Sequence, residues 1–565
     1  MEAGQAVCPQ VPAYTLPSSY GGNHSSSIGI KDAQLPSADE LARLLSGAVQ
    51  VDTSVGDGWP AVSQDPERWE AVFGPFRAYL RSALPRLHAP DSPVQLELVN
   101  SHGLLYTWPG SDASLKPILF MAHQDVVPVE PETVSAWTHP PFSGFIDEKL
   151  GLIWGRGASD TKTSLVAILA TMQSLMDAGF VPKRTIVCSF GFDEESAGTE
   201  GGEQLAKFIN QRYGDDGVAM IVDEGGEIMR ADASGLNLGI PVAAPAVAEK
   251  GYLDAKITVK TPGGHSSEPS DHTSIGYLAQ LITALESNPY QPYLDDTSPA
   301  LQFLQCTRDA PKANHKLSNK LRELQQLQLD LDFAARMQRA AVQTKKHKHL
   351  DKVKKQILAL LDRTQLFSFQ TTQAVDLISG GVKVNALPEQ ASVVVNHRID
   401  ITSSTRDVRQ HIYNAILKVA RRHNLKIVPG EHWEDVVKEG SAPHSNAKSV
   451  GEIVLQDAFE SALEPAPRTP LGTAKPWTLL QSVIRATWSD ILVAPDLMGG
   501  NTDTKSYWNV STNIFRFSPG SDKPFPIPGQ GENIHTVDER STVDGIEKAA
   551  HFYSLLMQAA SHEDL

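Results

Sequence analysis

The run PILFMA at residues 117–122 opens the pattern that decides the fold. Two more apolar runs, TIVCSFGF (185–192) and VAMIVDE (218–224), also have the length of buried strands. Helical patterns lie between them, TKTSLVAILATMQSLMDAG (161–179) and EGGEQLAKFINQRYG (200–214). Continuously apolar strands that alternate with helices are typical of an α/β domain with a mainly parallel sheet and helices on both faces. We expect this to be the main domain.

A smaller domain interrupts this pattern. In YLDAKITVK (252–260) apolar residues alternate with polar ones, which is typical of a strand in a sheet with one face in water. The segments that follow predict helices at 273–287 and 405–423, and strands at 367–373, 392–399 and 425–428. Together they indicate a smaller α+β domain over residues 249–440.

Residues 315–362 read as a helical insertion in this smaller domain. Its basic tract predicts a solvated helical face and not a binding patch. After residue 447 the chain returns to a helix-then-strand pattern, so we expect a discontinuous main domain over residues 36–248 and 447–565. Residues 1–35 are rich in Pro, Gly and Ser, and we expect them to form a loose arm.

The composition of the 565 residues excludes several classes of protein. Fifty Lys and Arg against 66 Asp and Glu give a net charge of −16, the wrong sign for binding nucleic acid or an anionic membrane. No run of about 18 apolar residues predicts a transmembrane segment, and the first 35 residues lack the apolar stretch of a signal peptide. Three cysteines exclude a disulfide framework and leave at least one thiol unpaired.

Residues of metal-ligand or acid–base type lie past or between the predicted strands and in one late polar loop: His123, Asp125, Asp160, Glu194, Glu195, Asp223 and His535. Each alone has an ordinary interpretation, such as a loop residue, a helix N-cap or a surface histidine. The carboxyl ends of parallel strands meet at one sheet edge, where α/β folds place their sites, so the set predicts a metal centre. Imidazole with carboxylates suits zinc, and a bridging Asp suits two ions about 3.5 to 4 Å apart. The chain has no H-E-x-x-H motif, which argues against a single-zinc protease.

Eight segments resemble, in order and spacing, the di-zinc peptidases that include carboxypeptidase S, aminoacylase and succinyl-diaminopimelate desuccinylase: MAHQDVVPV, GRGASDTK, FGFDEES, IVDEGG, GGHSS, VNALPEQASVVVNHRID, GGNTDTKSYW and GENIHTVDE. The stretches WTHPPFSG (137–144) and NTDTKSYW (501–508) look most like the carboxypeptidase S branch. The resemblance covers about residues 93–550.

The resemblance implies two zinc ions bridged by Asp160 and a role for each motif residue. His123 and Asp223 would be the outer ligands of one zinc, and Glu195 and His535 those of the other. Glu194 would be the general base and Asp125 the partner of His123. The sequence alone leaves the division of roles between Glu194 and Glu195 open. Members of the family share a non-proline cis peptide bond after the bridging Asp, which here would join Asp160 and Thr161.

The smaller domain resembles the lid and dimerisation domain of this family, which implies a possible homodimer. There His265 would stabilise the oxyanion, and Asn385 with Arg398 would contact the substrate. In the main domain Lys505 and the Gly499–Gly500 turn would present further donors to a substrate carboxylate.

We interpret the chain as a zinc carboxypeptidase acting on short peptides of the Gly-X type with a free C-terminal carboxylate. Hydrolysis of N-acyl amino acids is the alternative, and a catalytically inactive binding protein is disfavoured because each metal and base position holds a competent residue. The resemblance implies the vacuolar lumen. The absence of an anchor in this sequence would favour the cytoplasm if the chain is complete.

Overall fold

A computed structural model describes residues 8–16, 35–231, 237–337, 340–437 and 449–565. The first part of the chain forms α1 (Ala38–Val49), α2 (Pro66–Ala83), β1 (Gln95–Val99), β2 (Gly103–Trp108), β3 (Ile118–His123), β4 (Phe145–Asp147), β5 (Leu152–Trp154), α3 (Lys162–Asp177), β6 (Ile186–Gly191), α4 (Gly202–Tyr213), β7 (Met220–Gly226), β8 (Ile228–Met229), β9 (Val242–Ala243) and β10 (Ala246–Glu249).

The middle part forms β11 (Gly251–Lys260), β12 (Gly264–His265), α5 (Ser274–Glu286), α6 (Pro299–Thr307), α7 (His315–Arg336), α8 (Ala340–Leu358), α9 (Arg363–Leu366), β13 (Thr372–Gly380), β14 (Ala386–Leu387), β15 (Gln390–Ile399), α10 (Thr405–Arg422), β16 (Leu425–Pro429) and β17 (Gly451–Asp457). The last part forms α11 (Lys475–Thr487), β18 (Leu492–Val493), β19 (Asp496–Met498), β20 (Ile514–Phe517), β21 (Arg540–Thr542) and α12 (Val543–His562).

The main domain is built on an eight-stranded sheet in the order β1-β2-β6-β3-β7-β20-β10-β19. Its central strands β6, β3, β7 and β20 run parallel. Antiparallel pairs flank them, β1 with β2 and β2 with β6 on one side and β20 with β10 on the other. The predicted α/β class with a mainly parallel sheet is therefore confirmed.

Helices cover both faces of this sheet, so the residues of β3 alternate between two cores. Ile118 and Phe120 pack into the core that contains α1, α3, α11 and α12. Leu119 and Met121 pack on the opposite face, with Leu205 of α4. Since both faces are buried, the strand is apolar along its whole length, which explains the continuous run in the sequence.

The smaller domain, named the lid here after the resemblance, is a five-stranded sheet in the order β13-β15-β11-β17-β16, with α5 and α10 packed on one face. This domain ends later than predicted. Strand β17 pairs with β11, so the sheet extends to Asp457 and not to residue 440. The predicted boundary lies within residues 438–448, outside the described part of the chain.

Two chain segments connect the lid to the main domain, and they are hydrogen-bonded to each other. The Tyr252 amide donates to the Leu463 carbonyl at 2.8 Å, and the Leu463 amide donates to the Tyr252 carbonyl at 2.9 Å. The Ala466 amide donates to the Glu249 carbonyl at 3.0 Å. The chain therefore leaves and re-enters the main domain at one point.

The predicted insertion is helical, and its buried face also packs against the edge of the main sheet. On α7, Leu317, Leu321 and Leu324 are buried against α8 and α6. The same core contains Ala248 of β10 and Leu497 of β19, which belong to the edge of the main sheet. The insertion therefore packs on the main domain through one face. Two lysines of its basic tract form ion pairs, Lys346 with Asp330 and Lys354 with Asp296.

The strand predicted at residues 367–373 starts later. Phe367–Phe369 form a 3-10 turn, and the strand begins at Thr372. The Lys250 ammonium donates to the carbonyls of Phe367 and Gln370, while Phe369 is buried in the core of the insertion. These contacts hold the backbone in a turn because they need its carbonyls to converge on one ammonium group.

Part of the predicted loose arm is attached to the main domain. Cys8 forms a disulfide with Cys306 of α6, and the Gln10 side chain exchanges two hydrogen bonds of 2.9 Å with the backbone of Val493. The expectation of a loose arm is wrong for residues 8–16, while residues 1–7 and 17–34 lie outside the described chain. Cys188 is the unpaired thiol and is buried. None of the helices in the described ranges is long and apolar enough to cross a membrane.

Candidate metal centre

The central strands deliver imidazole and carboxylate groups to one edge of the main sheet. His123 is the last residue of β3, and Glu194 and Glu195 follow β6. Glu224 lies near the end of β7, and Asp160 lies in the turn before α3. Because β3, β6 and β7 run parallel, their carboxyl ends meet, and the side chains converge as the sequence predicts.

Asp160 lies between two imidazoles and presents one carboxylate oxygen to each. His123 Nε2 is 3.1 Å from Asp160 Oδ1, and His535 Nε2 is 2.9 Å from Asp160 Oδ2. A second carboxylate stands beside each imidazole. Glu224 Oε1 is 3.3 Å from His123 Nε2, and Glu195 Oε2 is 3.1 Å from His535 Nε2. The result is two adjacent ligand sets that share Asp160.

The residue of β7 that lies in this cluster is Glu224 and not the predicted Asp223. Ligand atoms of His123, Glu194 and Glu224 lie within 4.8 Å of one another, as do those of His123, Asp160 and Glu195. Asp223 belongs to neither group. Neighbouring residues of a strand point to opposite faces, so only one of the two acids on β7 can face His123. The Asp223 carboxylate lies in the interior, where its Oδ2 atom has no hydrogen-bond partner among the described residues.

Asp125 orients two members of the cluster, one through its backbone and one through its side chain. The His123 Nδ1 atom lies 2.9 Å from the Asp125 carbonyl oxygen and 3.4 Å from Asp125 Oδ1. Asp125 Oδ2 accepts a hydrogen bond of 3.0 Å from the Glu195 amide. A donor at Nδ1 leaves His123 Nε2 free to bind a cation.

Glu539 holds the turn that carries Asp160, and sequence analysis missed it. Its carboxylate accepts hydrogen bonds from the amides of Gly157, Ser159 and Asp160 at 2.9 to 3.2 Å and from the Arg156 guanidinium. The peptide bond between Asp160 and Thr161 is cis, as the resemblance implies. The only signal in the sequence was the position of Glu539 four residues after His535, inside a motif already noted.

The charges of the cluster favour additional positive charge. Burial raises the pKa of Glu194 and of Glu224 well above the usual range, and the neighbouring carboxylates raise both further. Hydrogen bonds to Asp160 and Glu195 raise the pKa of His535 to about 10. Carboxylates packed this closely are stable only with compensating cations.

Arg398 of β15 and the loop after β19 meet at the lid side of the site. The Arg398 guanidinium donates to Asn501 Oδ1 at 3.1 Å and lies 4.7 Å from the centre of the Tyr252 ring. Beside it, Gly499 and Gly500 leave open space, since a Cβ atom on Gly499 would contact nothing within 4 Å.

Three of the predicted substrate residues do not lie beside Arg398 and the Gly499–Gly500 turn. Lys505 donates to the Ala197 carbonyl at 2.9 Å, so it holds the loop after Glu195 and does not point an ammonium group at the substrate site. His265 and Asn385 lie together on the exposed β12–β14 ladder of the lid.

A model of peptidase family M20/M25/M40 matches residues 119–559. The chain belongs to this family. It is 37% identical over 517 residues to carboxypeptidase S of Saccharomyces cerevisiae, covering 90% of this chain and 82% of the relative. It is 29% identical over 528 residues to the N-fatty-acyl-amino acid synthase/hydrolase PM20D1 of Homo sapiens, covering 92% and 88%.

The fold also matches solved M20 structures. The M20 metallo-carboxypeptidase Sso-CP2 from Sulfolobus solfataricus superimposes with a TM-score of 0.55 at 16% identity, covering 93% of this chain and 99% of that one. The chain is thus a peptidase of the M20 family, and its shared-carboxylate cluster is suited to a dinuclear metal site. Each imidazole with two carboxylates fits a divalent cation, with Asp160 common to both ligand sets.

Because Glu224 and not Asp223 faces His123, the structure predicts which substitution removes a cation. We expect Glu224→Ala to bind one divalent cation per chain after dialysis and Asp223→Asn to bind two, because only Glu224 faces His123. Metal analysis by atomic emission would measure this. Two cations in Glu224→Ala together with a loss in Asp223→Asn would restore the original assignment.

Proposed function

We propose that the chain is a zinc-dependent carboxypeptidase that hydrolyses the amide bond before the C-terminal residue of short peptides of the Gly-X type. The similarity to carboxypeptidase S supports this activity. Among the features of the site, the environment of Arg398 carries the proposal, because a carboxypeptidase must bind the carboxylate at the end of its substrate.

Arg398 has the environment of a carboxylate receptor. Its polar contacts, Asn501 and the Tyr252 ring, are neutral. Neither contact involves a carboxylate, so among the described residues no internal ion pair occupies the guanidinium. A guanidinium can bind a carboxylate through two parallel hydrogen bonds. The open turn at Gly499 and Gly500 leaves room for that group beside it.

Two zinc ions would be held by the two ligand sets described above, His123 with Glu224 and His535 with Glu195, joined by Asp160. Ligand sets of one imidazole and two carboxylates suit zinc better than magnesium, which prefers oxygen ligands throughout. When bound, the cations polarise the scissile carbonyl and make a nearby water more acidic.

Glu194 would act as the general base. Its carboxylate lies within 4.8 Å of the ligand atoms of His123 and Glu224, close enough to reach a water bound there. It would take the proton of the attacking water and then transfer it to the nitrogen of the leaving amino acid. Asp125 would hold His123 and the Glu195 backbone in position during this proton transfer through its hydrogen bonds to both.

Hydrolysis of N-acyl amino acids is a second candidate, and the similarity to the N-fatty-acyl-amino acid synthase/hydrolase supports it. Both activities need the metal cluster, Glu194 and a receptor for a free carboxylate. They differ in the group on the other side of the scissile bond.

We also propose an oxidising compartment, in agreement with the vacuolar lumen that the family resemblance implies. The bond between Cys8 and Cys306 supports it, because disulfides persist in such compartments. Trapping free thiols in protein isolated from its source should label Cys188 alone, whereas labelling of all three cysteines would favour the cytoplasm.

The base assignment predicts that Glu194→Gln keeps its metal and loses turnover. We expect about a 10²- to 10⁴-fold fall in kcat on dipeptides, because general-base catalysis contributes about that factor. Metal analysis and steady-state kinetics on the same zinc-loaded sample would measure both. Near-normal turnover would show that another group takes the proton.

If Arg398 binds the substrate carboxylate, its removal should lower kcat/KM only for substrates with a free C-terminal carboxylate. Arg398→Ala should lower kcat/KM roughly ten- to a hundred-fold on a dipeptide with a free carboxylate, because charge-assisted hydrogen bonds contribute about 1.5 to 3 kcal/mol. On the C-terminal amide of the same dipeptide the change should be small. Arg406→Ala is the matched control, since its ion pair with Asp435 lies at the surface of the same domain. Equal losses on acid and amide would make Arg398 structural.

A homodimer through the lid would explain why His265 and Asn385 lie on an exposed ladder. Strand β13 is at the edge of the lid sheet, and its Leu377 and Ile378 are 56% and 67% exposed. Exposed apolar edge strands pair readily with other chains. We expect sedimentation to give a dimer for the wild type and a monomer for Ile378→Lys. A wild-type monomer would require His265 and Asn385 to reach the site within one chain.

A further inference from the structure

A cavity of about 240 Å³ adjoins the metal centre and has no role in the activity described so far. Asp160 and Glu224 form part of its wall, so it opens directly on the two ligand sets. It is bounded by Met498, which precedes the glycine turn beside Arg398. The cavity therefore lies next to the two ligand sets and close to the turn that leads to Arg398.

The size of the cavity limits what it can hold. Sites for drug-sized ligands usually measure about 300 to 1,000 Å³, so 240 Å³ suits a small group such as one amino-acid residue. A long acyl chain gains binding free energy for each CH₂ that it buries in an apolar pocket, but only where such a pocket exists.

The walls of the cavity combine polar and apolar groups in about equal share. Hydroxyl groups of Ser159, Thr161 and Ser518 line it, together with the charged side chains of Glu227, Glu532 and Arg230. Covering the Glu227 carboxylate with methylenes would cost its hydrogen bonds to water without replacing them. The chemistry of the walls therefore favours a group that brings hydrogen-bond donors.

Among the charged groups of the cavity, Glu227 is the one with open acceptor oxygens. Glu532 accepts a hydrogen bond of 2.5 Å from the Ser159 hydroxyl, and Arg230 lies 5.2 Å from the centre of the Phe525 ring. No cationic nitrogen of the described residues lies within 4 Å of the Glu227 carboxylate. Burial and the neighbouring Glu532 raise the pKa of Glu227 to about 7, while the positive charge of Arg230 opposes this shift. A cationic group placed beside Glu227 would favour its ionised form.

We propose that this cavity binds the residue before the scissile bond and that Glu227 accepts a hydrogen bond from the nitrogen on its α-carbon. That nitrogen is an ammonium in a dipeptide and an amide N–H in a longer or N-blocked peptide. In both cases it lies one carbon from the scissile carbonyl. Glu227 is then a specificity residue that selects α-aminoacyl groups over fatty acyl groups. This inference rests on the proposed carboxypeptidase activity and names its substrate class.

Two substrates that differ at one atom test the proposal. Glycyl-leucine and propanoyl-leucine both release leucine, but a methyl group replaces the ammonium in the second. A charge-assisted hydrogen bond contributes about 1.5 to 3 kcal/mol, so we expect the wild-type enzyme to prefer glycyl-leucine roughly ten- to a hundred-fold in kcat/KM. In Glu227→Gln this ratio should fall toward one. Glu148→Gln, which changes an exposed glutamate of the main domain, should keep the wild-type ratio.

A binding measurement separates recognition from turnover. In the Glu194→Gln background, calorimetry should give weaker binding of glycyl-leucine when Glu227→Gln is added and the same loss should be absent when Glu148→Gln is added. A wild-type ratio near or below one, or a ratio that Glu227→Gln does not change, would overturn the proposal and leave the carboxypeptidase activity standing. Failure of zinc-loaded wild-type enzyme to hydrolyse either substrate would instead overturn the proposed function.

Discussion

The mutual repulsion of buried carboxylates is the constraint on which the rest of the structure depends. Asp160, Glu194, Glu195 and Glu224 share one sheet edge, and two unit charges 4 Å apart repel by about 4 kcal/mol at an effective dielectric constant of 20. Such a cluster is stable only if cations compensate it. The backbone must also be held in place by groups that do not themselves bind the cations.

Those supporting contacts come from distant parts of the chain. Glu539 holds the Asp160 turn, and Asp125 ties the end of β3 to the Glu195 loop. Behind them, Arg516 forms a fully buried ion pair with Glu249 at 3.1 Å, and Glu249 also accepts hydrogen bonds from Thr502. This ion pair joins β20, the end of β10 and the loop that carries Asn501. The lid connection and the substrate side of the site therefore share one rigid support.

Much of the site followed from the sequence because strand ends and ligand chemistry are local signals. The position of His123 after an apolar run was enough to place it at the sheet edge. Glu224 was missed because the register of β7 is irregular: Arg516 of β20 pairs with Asp223, but the next residue, Phe517, pairs with Gly226. After such a shift, the side of the sheet to which a side chain points is set by tertiary packing and not by alternation along the strand. Lys505 was misplaced for a similar reason, since its partner, the Ala197 carbonyl, belongs to a separate loop.

The paired crossing at Tyr252 and Leu463 has a consequence for how such proteins can change over time. Because both ends of the lid meet at one hydrogen-bonded point, the main sheet closes behind the lid as if a single loop had been inserted there. A segment attached in this way can be lengthened, shortened or exchanged without moving the strands that hold the metal ligands. The helical pair α7–α8 lies within this segment and packs against Ala248 and Leu497 of the main domain. The sheet edge that carries His123 and Glu224 is therefore independent of the length of the lid.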